Sequence, residues 1–167
     1  MWRESELLKI NHAEVRRLVA STESADAVAA YDTRVSAAIK RWYLLAQNHL
    51  QSARVLVDRS RLWRSTVSRA YYAVYNSSRA IRLYAYGRVK EGGDDHRHVG
   101  ELPDDFPERN QWSPFLNQLR FERDRCDYDP GSDVRTSLSD DPRSLVRRAE
   151  EFLSETREYL RERGLQL

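Results

Sequence analysis

Apolar side chains recur at spacings of three and four along most of this chain, and each run of that period reads as one face of an amphipathic helix. Asn11 with Glu14 three residues on has the form of a capping box, opening a short helix through Val15, Leu18 and Val19 that breaks between Ser21 and Ser24. From Ser24 a stripe of Val28, Tyr31, Val35, Ala38, Trp42, Leu45, His49, Ala53 and Leu56 predicts either one long rod or two helices parted near Thr33 to Ser36. Asp58 to Leu62 reads as a tight connection. The next run places Trp63, Val67, Tyr71, Val74, Ser78, Ile81 and Ala85 on one face, with small residues and Arg69 beside it, and Gly87 suits its C-terminal cap.

Residues 88–111 carry three glycines, two prolines and no helical period, so an irregular connection is expected there. Ser113 followed by Pro114 predicts a helix start, with Phe115, Leu116, Leu119, Arg123 and Cys126 on its inner face. Tyr128 to Asp140 is again rich in turn residues. Asp141 and Pro142 open a last helix burying Leu145, Ala149, Phe152, Thr156 and Tyr159, and Gly164 ends it. Neither glycine nor proline occurs between Ala13 and Ala85, which disfavours a β fold. The expected architecture is all-α: an up-and-down bundle of four to five helices over 38–167, preceded by an N-terminal helical extension over 1–37.

Charge adds a second pattern. The formal net charge of the 167 residues is only +2, yet residues 38–90 hold eleven basic side chains against one acid, while 91–167 hold nineteen acids against twelve bases. The stretch Arg61 to Arg88 has six arginines, five tyrosines and no acid. Such a surface must meet either the acidic third of its own chain or an external polyanion. The single cysteine, Cys126, allows no disulfide within the chain and fits a reducing cytoplasm. The N-terminus lacks the uninterrupted apolar core of a signal peptide, and no apolar run has the length to span a bilayer.

Candidate chemistry clusters in two places. In LRFERDRCDYDP, Arg123 and Asp127 stand four apart, as do Arg120 and Asp124, so each pair can bond along one helical face. The same arginines, with Tyr128 beside them, can instead clamp phosphate, because the guanidinium fork matches its oxygens. Arg69 in SRAYY is expected to be partly enclosed and to seek Asp124, Asp127 or a phosphate. His96 and His98, beside Asp94 and Asp95, are candidate acid–base groups for RNA cleavage; as metal ligands they lack further partners at suitable spacing. His12 and His49 read as structural. Tyr72 is the aromatic candidate of the basic helix. Neither GxxxxGK[ST] nor GxGxxG occurs, so no nucleotide-cofactor site and no cofactor are expected.

SRAYYAVYNSSRAI, a glycine and loop histidine after it, and LNQLRFERDRCDY together resemble the HEPN family of small helical proteins, over about residues 38 to 163. The resemblance implies a four- or five-helix bundle, commonly a homodimer, in a family with many metal-independent endoribonucleases that act as toxins beside a nucleotidyltransferase antitoxin, in phage defence or in RNA processing. The family signature is an arginine, a polar residue and, several positions on, a histidine. Arg123 and Asp124 match the first two. Asp127 and Tyr128 stand where the histidine is expected, as in a DY-bearing branch described as nucleotide-binding or as companions of nucleotidyltransferases. The resemblance therefore implies RNA or nucleotide binding by Arg69, Arg120, Arg123, Tyr72 and Tyr128, with Asp124 and Asp127 orienting them. Cleavage by Arg123 with His96 or His98 is one alternative, and a structural adaptor whose arginines are all ion-paired internally is the other.

Overall fold

A computed structural model describes residues 12–22, 24–89, 92–131 and 137–167. Among these residues five α-helices follow in order: α1 His12–Thr22, α2 Ala25–Leu56, α3 Trp63–Tyr86, α4 Arg109–Tyr128 and α5 Pro142–Glu162. No strand occurs among the described residues, and the fold is the all-α bundle with an added N-terminal helix that the periodicity predicts. Asn11, the expected cap of α1, lies outside the described residues.

α2 is one uninterrupted helix of 32 residues, which decides between the rod and the broken pair. It crosses residue 37 without a joint. Its buried face differs from the predicted one. Ile39, Tyr43, Ala46 and Leu50 point inward together with Ala38 and Ala53, while Leu45 is 40% exposed and Trp42 and His49 lie at the margin. Two neighbouring stripes satisfy the same three-and-four spacing, and the one holding the smaller and less polar set packs against α3.

α3 forms the middle of the bundle and touches α2, α4 and α5. Val67, Tyr71, Val74, Ser78 and Ile81 are buried as predicted, while Ala85 at its end is exposed. Gly87 closes it in the left-handed region at φ 64°, its N–H returning to Leu83. Hydroxyls in the core find partners: Ser77 donates to Thr156 Oγ1 at 2.8 Å, Thr156 to the Phe152 carbonyl at 2.8 Å, and Tyr43 to the Leu153 carbonyl at 3.0 Å.

α4 begins at Arg109, not at Ser113. Pro114 is therefore inside the helix. Its missing N–H forfeits the bond to the Asn110 carbonyl, and the helix continues through it. The inner face of α4 is as expected, with Phe115, Leu116, Leu119, Arg123 and Cys126 buried. α5 starts where predicted: Asp141 caps it, its Oδ1 accepting from the Arg143 N–H at 2.7 Å, with Pro142 next. All five predicted inward residues of α5 are buried.

The connection between α3 and α4 is more ordered than its composition suggests. Residues Gly92–His98 form a 3-10 turn, and Val99, Leu102 and Phe106 after it are buried. Gly100 is needed there. A Cβ on it would lie 2.4 Å from Asn117 Nδ2 and 2.9 Å from the Ser113 carbonyl, so only glycine brings this segment flat against α4.

Candidate functional site

Where the 3-10 turn meets the C-terminal half of α4, the surface opens into a hollow of about 660 Å³ lined by His96, Arg97, Arg120, Arg123, Asp124 and Tyr128. Five of these six residues are sequence-predicted. The hollow exists because α4 turns its 120, 123, 124 and 128 positions toward the segment that α3 holds in place.

Arg123 forms the floor. Its side chain is 10% exposed and lies between two carboxylates, with Nη1 at 2.7 Å from Asp124 Oδ1 and Nε at 2.9 Å from Asp127 Oδ2. Nη2 donates to the Tyr72 hydroxyl at 2.7 Å. Burial opposes the positive charge, but the bonds to Asp124 and Tyr72 outweigh it and hold the guanidinium protonated. The ring of Tyr128, itself 71% exposed, stands 5.2 Å from the same guanidinium. The i,i+4 pair of Arg123 and Asp127 is thus present. The parallel pairing of Arg120 with Asp124 is not, because Asp124 turns to Arg123. Arg120 instead approaches the His96 carbonyl, at 3.5 Å, and lies over the Phe121 ring at 4.7 Å. No carboxylate among the described residues forms an ion pair with Arg120.

His96 forms one wall. Its ring stacks on Tyr75 with centroids 4.2 Å apart and planes 14° from parallel, and its Nδ1 is 2.6 Å from the Tyr71 hydroxyl. Burial and the nearby Arg123 charge hold its pKa below the ordinary imidazole value. At neutral pH the ring is uncharged. Burial also raises the Tyr71 and Tyr75 hydroxyls above the usual phenol range, so both remain protonated.

Two predicted residues stand away from the hollow. Arg69 is exposed and not enclosed, and its Nη1 is 3.3 Å from His49 Nδ1, not beside a carboxylate. The residue is not among those that line the hollow. His49 packs on Tyr72 at 5.5 Å, so Arg69 touches the site only through two intervening rings. His98 turns to Glu101. Tyr72 and Asp127 support Arg123 without lining the opening. Cys126 is buried, which pushes its thiol up to about 11; the neighbouring arginines do not activate it. Arg97 was missed in the sequence, because a 3-10 turn leaves no periodic signal. No group of three potential metal-ligating side chains converges among the described residues; Asp95, beside the two histidines in sequence, is engaged by Arg82.

A second, larger cavity of about 710 Å³ lies at the other end of α3, between α1, α2 and the end of α5. There Arg16 pairs with Asp32 at 2.9 Å and Arg163 with Asp105 at 2.6 Å.

Residues 39–159 match the sequence profile of the HEPN domain. The chain belongs to the HEPN family. No curated protein and no solved structure gives a significant match. The HEPN match takes in the whole hollow and leaves α1 and the first half of α2 outside it. No helix among the described residues is long and apolar enough to cross a membrane.

Proposed function

We propose that this HEPN protein binds RNA or a nucleotide through the hollow between the 3-10 turn and α4. The observation that carries this reading is Arg120, which faces the opening with no carboxylate paired to it among the described residues. Arg97 stands on the same rim, and Arg123, already committed to Asp124 and Asp127, fixes the floor and adds positive field without offering a free fork. Tyr128 offers an exposed ring on which a base can stack. Phosphate held by Arg120 releases counterions, so affinity must fall with salt. The match to the HEPN family supports extending the reading to a homodimer acting with a nucleotidyltransferase in a toxin–antitoxin or defence module. Labelled oligoribonucleotide binding measured across a salt series tests the core of the reading. Arg120→Ala is expected to weaken binding and flatten the salt slope by about one unit. Binding by wild type that ignores salt, or that Arg120→Ala leaves intact, overturns it.

One observation favours a second reading, a metal-independent endoribonuclease. His96 shares the hollow with Arg120 and Arg123, and it is neutral at pH 7, so it is able to accept the proton of a 2′-hydroxyl as that oxygen attacks the adjacent phosphorus; the P–O5′ bond breaks, leaving a 2′,3′-cyclic phosphate, and the departing 5′-oxygen takes a proton from water. The arginines would stabilise the charge that develops on the phosphate. RNA cleavage abolished by His96→Gln but not by His98→Ala supports this reading; equal cleavage by both variants and wild type removes it.

A further inference from the structure

Among the described residues no backbone–backbone hydrogen bond joins the 3-10 turn that carries His96 to α3. The tie is a side-chain anchor one residue earlier. Asp95 is wholly buried. Arg82, itself 3% exposed, grips it with both ends of the guanidinium, at 2.8 Å to Oδ1 and 3.2 Å to Oδ2. The Tyr75 hydroxyl donates to Oδ2 at 2.8 Å, and Arg79 Nε stands 3.2 Å from the same oxygen. Arg79 is pinned in turn over the Trp42 ring, 3.9 Å from its centroid. The residues that grip the turn, Tyr71, Tyr75, Arg79 and Arg82, are spaced four, four and three apart, so they form one stripe of α3.

Tyr75 joins the two halves of the device. Its hydroxyl binds Asp95 while its ring face carries the His96 imidazole. Buried ion pairs contribute little net stability over an apolar replacement of the same shape, so what this one supplies is the geometry it fixes. We propose that Asp95 is a positioning residue of the hollow, clamped by Arg82, Arg79 and Tyr75 so that the adjoining His96 and Arg97 face Arg120 across the opening. The assignment rests on the phosphate-binding reading for its functional consequence, but the anchoring itself is measurable without any ligand.

The test uses full-length protein with isotope-labelled histidine. The ring signal of His96, identified by its loss in His96→Gln, is expected to be displaced by the stacked Tyr75 ring. In Asp95→Asn that displacement is expected to collapse, while the His12 and His49 signals stay in place and oligoribonucleotide affinity falls about tenfold, the scale of one charged hydrogen bond. Tyr75→Phe keeps the ring and deletes only its bond to Asp95. It is expected to reduce the displacement in part and to weaken binding about threefold, and it decides the matter if Asp95→Asn does not fold. An unmoved His96 signal in a folded variant overturns the assignment, as does a shift of all the histidine signals together, which would mean that Asp95 merely holds the bundle. Wild-type protein that binds no oligoribonucleotide removes the phosphate reading and leaves the His96 spectra to judge the anchor alone.

Discussion

The two concavities at the ends of α3 are similar in size and opposite in chemistry. The larger holds Arg16 with Asp32 and Arg163 with Asp105, each cation answered by an acid of its own chain. The smaller holds Arg120, which has no such acid among the described residues, next to an uncharged imidazole and an exposed tyrosine ring. Volume therefore does not distinguish the two. What separates the two is whether the positive charge is already spent. Arg120 and Arg123 make the same point within one helical turn: one is saturated and structural, the other is open.

The change expected to break this contrast most severely is Arg123→Ala. It leaves Asp124 and Asp127 facing each other over a void and removes the Tyr72 partner, at a cost of about 2–4 kcal/mol, the scale for breaking a buried pair at a partly wetted site. Chemical denaturation measures it, and a loss under about 1 kcal/mol would show the floor to be dispensable. Arg120→Ala comes next, with about tenfold weaker oligoribonucleotide binding and an unchanged melting temperature. If stability falls instead, Arg120 belongs with Arg123 and the contrast fails.

pH sharpens the comparison further. The folded pKa of His96 is depressed, as is that of His49 by burial and Arg69. The unfolded chain therefore binds these protons more readily, so stability is complete above the unfolded value of about 6.5 and declines as pH falls through that value toward the folded ones. His96→Gln is expected to flatten that decline, followed by denaturation at a series of pH values. Asp95 has a linkage of the same sign, at lower pH. Arg82 holds its carboxyl below the usual range despite burial, so its contribution persists until pH falls through the carboxylate region. The smallest effect belongs to the far cavity: Arg163→Ala is expected to leave oligoribonucleotide affinity within about twofold of wild type, since no open cation is lost there. A larger drop, read in the same binding assay, would show that the nucleic acid reaches the other end of the molecule.

Much of the bundle was legible in the sequence, and the exceptions have identifiable causes. α5 was readable in full because its cap, its proline and its five inward residues agree with one another. α2 was readable in extent but not in rotation, since Trp42, Leu45 and His49 fit a helical stripe as well as Ile39, Tyr43, Ala46 and Leu50 do. Pro114 misled because proline favours the first turn, whereas here the helix starts five residues before it and runs on through it. In the site, the pair of Arg123 with Asp127 followed from local spacing. The Tyr72 bond to Arg123 and the Asp95 anchor join separate elements, and no spacing rule reaches across them. The signal that existed was the stripe of Tyr71, Tyr75, Arg79 and Arg82, where two arginines on a packed face implied a buried acid somewhere on a facing segment. Arg69 failed for the converse reason: small neighbours suggested enclosure, and it lies on the outer side of α3.

The unbroken length of α2 has a mechanical meaning. The helix spans roughly 48 Å at the standard rise, beginning beside α1 outside the HEPN match and running through the bundle, where Ala46 and Ala53 are fully buried. A load applied near Ala25 meets no hinge on the way. Whatever grips that end would tug on the protein's interior as through a stiff lever, not as through a tether.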